Sequence, residues 1–190
     1  MMYLRIGLVW FLIAIALAAS GALQHIRPPG PQILIFALTA VLLIAWRFNR
    51  PLRAWLDALD LRAIVALHLT RFVGAYFLFL YGKGELPFGF AVPAGCGDIL
   101  VATIAAVLLL NWPAVARHRR WLGVWNMVGF VDIMMVVAEA AKQALTDPTS
   151  MAALLRLPLG LLPTFLVPLI IASHFLIFLR LYQESHRQER

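Results

Sequence analysis

The stretch AIVALHLTRFVGAYFLFLYG, residues 63–82, decides the fold. A helix rising 1.5 Å per residue needs about 20 mostly apolar residues to cross the hydrocarbon of a bilayer, and this run meets that length. Yet it holds His68 and Arg71. Ionisable side chains are costly in lipid, so they turn toward a bundle interior or a wet cavity and mark function. The stretch therefore reads as a membrane span with one polar, inward-facing level.

Working outward, five more segments have the same character. The six spans are expected at Leu4–Leu23, Pro31–Phe48, Ala63–Gly82, Gly95–Trp112, Trp121–Ala141 and Pro158–Leu181. Proline and glycine punctuate the connections, as at Pro28-Pro29-Gly30-Pro31, Pro51, Pro93, Pro113 and Pro148. Of the 190 residues 63% are apolar, the mean hydropathy is +0.86 and 13% are charged. That charged share is about half that of a soluble domain. The expectation is an all-α integral membrane protein, with residues 1–190 forming a single polytopic domain. No internal repeat relates the first three spans to the last three.

Orientation follows from the sixteen Lys and Arg residues. Eleven fall at one set of ends and loops: Arg5, Arg47, Arg50, Arg53, Arg62, Arg117, Arg119, Arg120, Arg180, Arg187 and Arg190. Four fall at the other set, Arg27, Lys83, Lys142 and Arg156, and Arg71 is inside the membrane. The positive-inside rule then places both termini in the cytoplasm, in a bacterial inner (plasma) membrane. The net charge of +7 is distributed by this bias and does not form a basic face, so nucleic acid is excluded as a partner. Arg5, a short apolar run and Ala16-Leu17-Ala18-Ala19-Ser20 also resemble a signal peptide, whose removal would leave five spans. Cys96 stands alone, which excludes an intrachain disulfide.

Two connections read as interfacial helices. Leu52, Trp55, Leu56 and Leu59 share a face opposite Arg53, Asp57 and Asp60. Asp147-Pro148 signals a helix start before Met151, Leu154 and Leu155. The loop over residues 82–95 is rich in Gly, Pro and Phe, and reads either as a lid-like re-entrant segment or as an ordinary turn.

Depth is estimated by counting from the Arg-rich ends. His68 and His174 come out at one level, roughly 8–10 Å in at the helical rise. Asn126 enters at a similar level, Arg71 lies one turn deeper than His68, and Asp132 lies near mid-membrane. These five form the expected intramembrane polar site. Arg71 and Asp132 also read as a purely structural ion pair, and Asn126 as a hydrogen-bonding helix contact. Asp98, Glu139 and Glu85 form a secondary outer group, with Asp98 expected in the first turn of the fourth span. Pro163 and Pro168 each remove a backbone hydrogen bond in the sixth span and predict a kink there.

No hydrolase, zincin or phosphate-loop motif occurs, so the sequence leans away from an enzyme. The reading preferred from sequence is proton-linked transport or permeation of a small solute or ion, by a homodimer or with a membrane partner subunit. A second reading is a redox module binding haem b or a quinone, with His68 and His174 as haem ligands. A third is a non-catalytic accessory subunit whose polar residues dock helices. In every reading the lipid bilayer is a partner.

Overall fold

The computed structural model describes residues 2–188; Arg190, one of the eleven basic residues above, lies outside them, as does the side chain of Arg187. The described chain is all-α, 87% helical and without strands. Among the described residues six helices of 18 to 27 residues are long and apolar enough to cross a membrane. They are Met2–Ala19 (α1), Gly30–Phe48 (α2), Leu61–Gly82, Phe88–Leu110 (α6), Arg120–Thr146 (α8) and Leu162–Glu184. These are the helices of a multi-pass membrane protein.

Two of these units have internal detail. Leu61–Gly82 is α4 (Leu61–Leu67), a 3-10 stretch at His68–Val73, and α5 (Gly74–Gly82). The sixth opens with a π-turn at Leu162–Leu166 and continues as α9 (Val167–Gln188). Short helices α3 (Arg50–Asp57) and α7 (Trp112–Arg117) link spans. Three helix starts carry side-chain caps. Asn49 Oδ1 accepts from the Leu52 N–H at 3.0 Å, and Asp60 Oδ1 from the Arg62 N–H at 2.9 Å. Asp147 accepts from both the N–H and the hydroxyl of Thr149, which holds its carboxyl below the usual range. Arginine closes two C-terminal ends: Arg53 donates to the carbonyls of Trp46 and Arg47, and Arg180 to those of Leu59 and Leu56.

Two sequence expectations change. The fourth spanning helix starts at Phe88, not at Gly95, so there is no lid across residues 82–95. Pro87 is extended (φ −74°, ψ 149°) and launches the helix, and Pro93 is carried inside it. The apolar run simply continues through a proline that was read as a boundary. The connector after Asp147 is a 3-10 helix, Pro148–Leu155, where an α-helical stripe was expected.

Helix α6 is central and packs against α4, the 3-10 stretch, α5 and α8. Gly74 and Gly95 let the two backbones approach closely: a Cβ on Gly74 would stand 2.5 Å from the Gly95 carbonyl oxygen and 2.8 Å from Asp98 Cβ. Among the described residues two apolar clusters form the core. One holds Phe77, Phe90, Ala94, Ile133, Val137 and Ile170, and the other Val65, Val101, Ala105, Trp125 and Ile177. Between these clusters each of the four core helices carries polar side chains: His68 and Arg71, Asp98, Asn126 and Asp132, and Ser173 and His174. The polar site is thus a layer held between two apolar cores.

Candidate functional site

Arg71 is the anchor of that layer and is 1% exposed. Its Nε donates to Asp98 Oδ1 at 2.6 Å, its Nη1 to the Gly129 carbonyl at 2.8 Å, and its Nη2 to Asp132 Oδ2. A guanidinium offers five N–H donors in a planar fork, so these three bonds leave two for a ligand or water. The two carboxylates differ in setting. The Asp98 side chain is 4% exposed and that of Asp132 is 19% exposed. With all three groups ionised the cluster carries one excess negative charge, and binding a single proton makes it neutral. A carboxylate pair sharing one cation is therefore a natural place to exchange a proton in a medium that penalises net charge.

A second cluster adjoins it. The His68 and His174 rings touch, with centroids 4.5 Å apart, and Trp125 lies edge-on to His68 at 4.9 Å. Ser173 donates its hydroxyl hydrogen to the Ile170 carbonyl at 2.7 Å, so at 3.0 Å from His68 Nε2 it is the acceptor and His68 Nε2 carries the proton. Asn126 donates its amide to the His174 carbonyl at 3.1 Å and accepts from His174 Nδ1–H at 2.8 Å. The neutral tautomers are therefore assigned by their neighbours. His68 Nδ1 and His174 Nε2 are buried and without a hydrogen-bond partner among the described residues. Asn126→Leu strands the His174 Nδ1–H and removes the additional bond on the His174 carbonyl, which keeps its helix partner. It is expected to cost about 1–2 kcal/mol, read as a lower SDS midpoint in unfolding from mixed micelles. An unchanged midpoint would show that this tautomer lock contributes nothing.

The ring contact bears on haem. An iron held by both histidines puts the macrocycle between them. Each ring keeps one nitrogen free, but the rings are already in contact with centroids 4.5 Å apart, which leaves no room for a macrocycle between them, so as placed His68 and His174 do not fit a shared haem. Among the described residues no group of three or more His, Cys, Asp or Glu side chains is placed to hold a metal ion.

The layer opens on a cavity of about 540 Å³. Its base is Thr70, Arg71 and Asp98, its wall is mostly aliphatic and aromatic, and its far end reaches Gln24, Arg27, Thr149 and Arg156 on the Arg-poor side. Asp132 does not line it.

The structure brings together His68, Arg71, Asn126, Asp132 and His174, and it adds Asp98 and Ser173. Asp98 leaves the expected outer group because α6 begins early, so it sits in the third turn and not the first. Glu139 pairs with Lys142 at 3.2 Å and Gln143 at 2.8 Å, apart from the Arg71 cluster, and Glu85 is exposed. Pro163 lies in the π-turn and lines the cavity, while Pro168 follows in α9. Sequence reasoning passed over Ser173 because neighbours on one helix do not face each other; its partner is His68 on another helix. Gly129 also went unnoticed: a Cβ there would stand 2.9 Å from His174 Cε1.

The family described as Domain of unknown function (DUF8737) matches residues 28–182, which take in every residue of this layer and all but the outermost part of the cavity mouth. No curated protein and no solved structure matches the chain.

Proposed function

We propose that this chain, which belongs to the DUF8737 family, moves a small solute or ion across a membrane in step with protons. One observation carries the reading. Arg71 bridges two carboxylates of which one, Asp98, lines the cavity while the other, Asp132, does not and is partly exposed. A proton taken by one carboxylate weakens its bond to the guanidinium and strengthens the claim of the other, so Arg71 links the cavity to a second position. Cavities of roughly 300–1,000 Å³ hold small molecules, and this one ends on a charged cluster, as a coupled site requires.

The remaining parts of the reading follow from sequence. Both termini face the cytoplasm across a plasma membrane, with the basic loops inside. The sixth span bends at Pro163 and Pro168, next to the cavity. Six spans are few for a transporter, which favours a homodimer or a membrane partner subunit.

The test is proton movement in proteoliposomes with an entrapped pH dye, driven by gradients drawn from a panel of small organic anions and cations. The parent is expected to show solute-dependent pH change, and Asp98→Asn and Asp132→Asn each to lower it at least about tenfold, because each removes a proton site beside Arg71. Flux in both variants equal to the parent's would overturn the reading.

A further inference from the structure

We propose that the cavity binds a single-chain amphiphile with an anionic, hydrogen-bond-donating head, its apolar chain running inward toward Arg71. The inference takes the cavity of the transport reading as its site and names the ligand class. It is read out as equilibrium binding, so absence of flux and absence of binding are separate results.

The two ends of the cavity differ in charge. At the base, Arg71 is already matched by Asp98 and Asp132, and a further anion there would meet excess negative charge. At the mouth stand Arg27 and Arg156, both exposed, and Asp98 at the other end is the one acidic residue among the described lining residues. The mouth is thus a place for a carboxylate or phosphate. Gln32, in the first turn of α2, also lines the cavity, and its Oε1 is buried with no hydrogen-bond partner. An orphaned acceptor in a cavity that also carries two arginines asks for a head that donates as well as accepts, such as a phosphate monoester hydroxyl or a neighbouring alcohol. Between the ends the wall is Ile35, Phe77, Phe90, Ile133, Val137 and Val167. That surface offers no partner to a polar solute and suits an alkyl or isoprenoid chain. A compact hydrophilic ion would satisfy the ends and leave the middle unfilled.

The test uses the full chain in neutral maltoside micelles, doped with monododecyl phosphate, with dodecanol as the uncharged control of equal chain length. Thermal unfolding midpoints are recorded against dopant mole fraction, since a ligand that binds the folded state raises the midpoint in a saturable way. Monododecyl phosphate is expected to give a saturable rise that dodecanol does not match. Arg27→Gln combined with Arg156→Gln, both at exposed positions, is expected to weaken apparent affinity at least tenfold. Val137→Trp fills the wall and is expected to abolish the response. Equal responses to dodecanol and the phosphate, or an unaltered response in the arginine double variant, would overturn the proposal. Native mass spectrometry of the undoped protein separates the sources. A retained single-chain lysophospholipid that is lost in the double variant identifies a bilayer-derived headgroup, a bare protein that takes up the probe identifies a free amphiphile, and a retained two-chain phospholipid would overturn the single-chain assignment.

Discussion

Arg71→Leu is expected to remove most of the folded protein. The substitution deletes the one cation that holds Asp98 and Asp132, and Asp98 is almost wholly buried. Breaking a buried ion pair by removing one partner costs about 3–5 kcal/mol, because the partner is left charged and unmatched. Whole proteins are stable by about 5–15 kcal/mol, so the loss takes up a large part of the margin. The expected result is a collapse of the monodisperse peak on size exclusion in mild detergent. The triple variant Arg71→Leu with Asp98→Asn and Asp132→Asn removes all three charges while keeping the shape of both carboxyl groups. It is expected to recover the peak and to lack proton-linked flux. Arg71→Lys should lie between, since an ammonium is a point charge and cannot reproduce the fork that reaches Asp98, Asp132 and the Gly129 carbonyl together. An Arg71→Leu protein as abundant and as stable as the parent would refute the charge account.

Gly74→Ala is expected to have the second-largest effect. The added methyl would meet the Gly95 carbonyl oxygen at 2.5 Å and Asp98 Cβ at 2.8 Å, and a Cβ on Gly95 would in turn meet the Gly74 carbonyl at 2.8 Å. The Gly95 oxygen is backbone and Asp98 Cβ is fixed to backbone by one bond, so no rotamer change relieves either contact and the start of α5 must move away from α6. Overpacking of this kind costs about 1–3 kcal/mol. It also displaces Asp98 from Arg71, so flux should fall further than stability does. Gly97→Ala is the instructive contrast. Its Cβ would collide with Asp132 Oδ1, the end of a side chain, so the fold should survive while the Arg71–Asp132 bond is lost. Gly82→Ala, with nothing within 4 Å, is the control and should match the parent. Equal SDS midpoints for Gly74→Ala and Gly82→Ala would show that the close approach is not rigid.

The helical spans were legible because their signal is local: each is an apolar run of bilayer length, and no long-range pairing has to be guessed. The histidine level was legible for a related reason, since depth can be counted along a regular rise from the basic ends. His68 and His174, far apart in the chain, do come into ring contact. What stayed hidden depended on a helix boundary or on contacts between helices. Asp98 was misplaced by two turns because Gly95 and Pro93 were read as the end of a loop. Pro87, seven or so residues earlier, was the boundary signal to follow. Ser173, Gly129 and the cavity wall carry no periodic signature; they are defined by what another helix places opposite them.

The 3-10 stretch at His68–Val73 has a mechanical consequence. Residues three apart are eclipsed in such a helix, so His68 and Arg71 are stacked on one line and address their separate partners from it. A 3-10 helix rises about 2.0 Å per residue against 1.5 Å in an α-helix, so rewinding these six residues would shorten the span by roughly 3 Å. The same rewinding would rotate Arg71 about the axis by some tens of degrees relative to His68, out of line with Asp98. The segment is in effect a screw thread cut into one helix, with the guanidinium as its pointer: a change of pitch there converts a small lengthwise pull on the span into a turn of the one charge that the two carboxylates share.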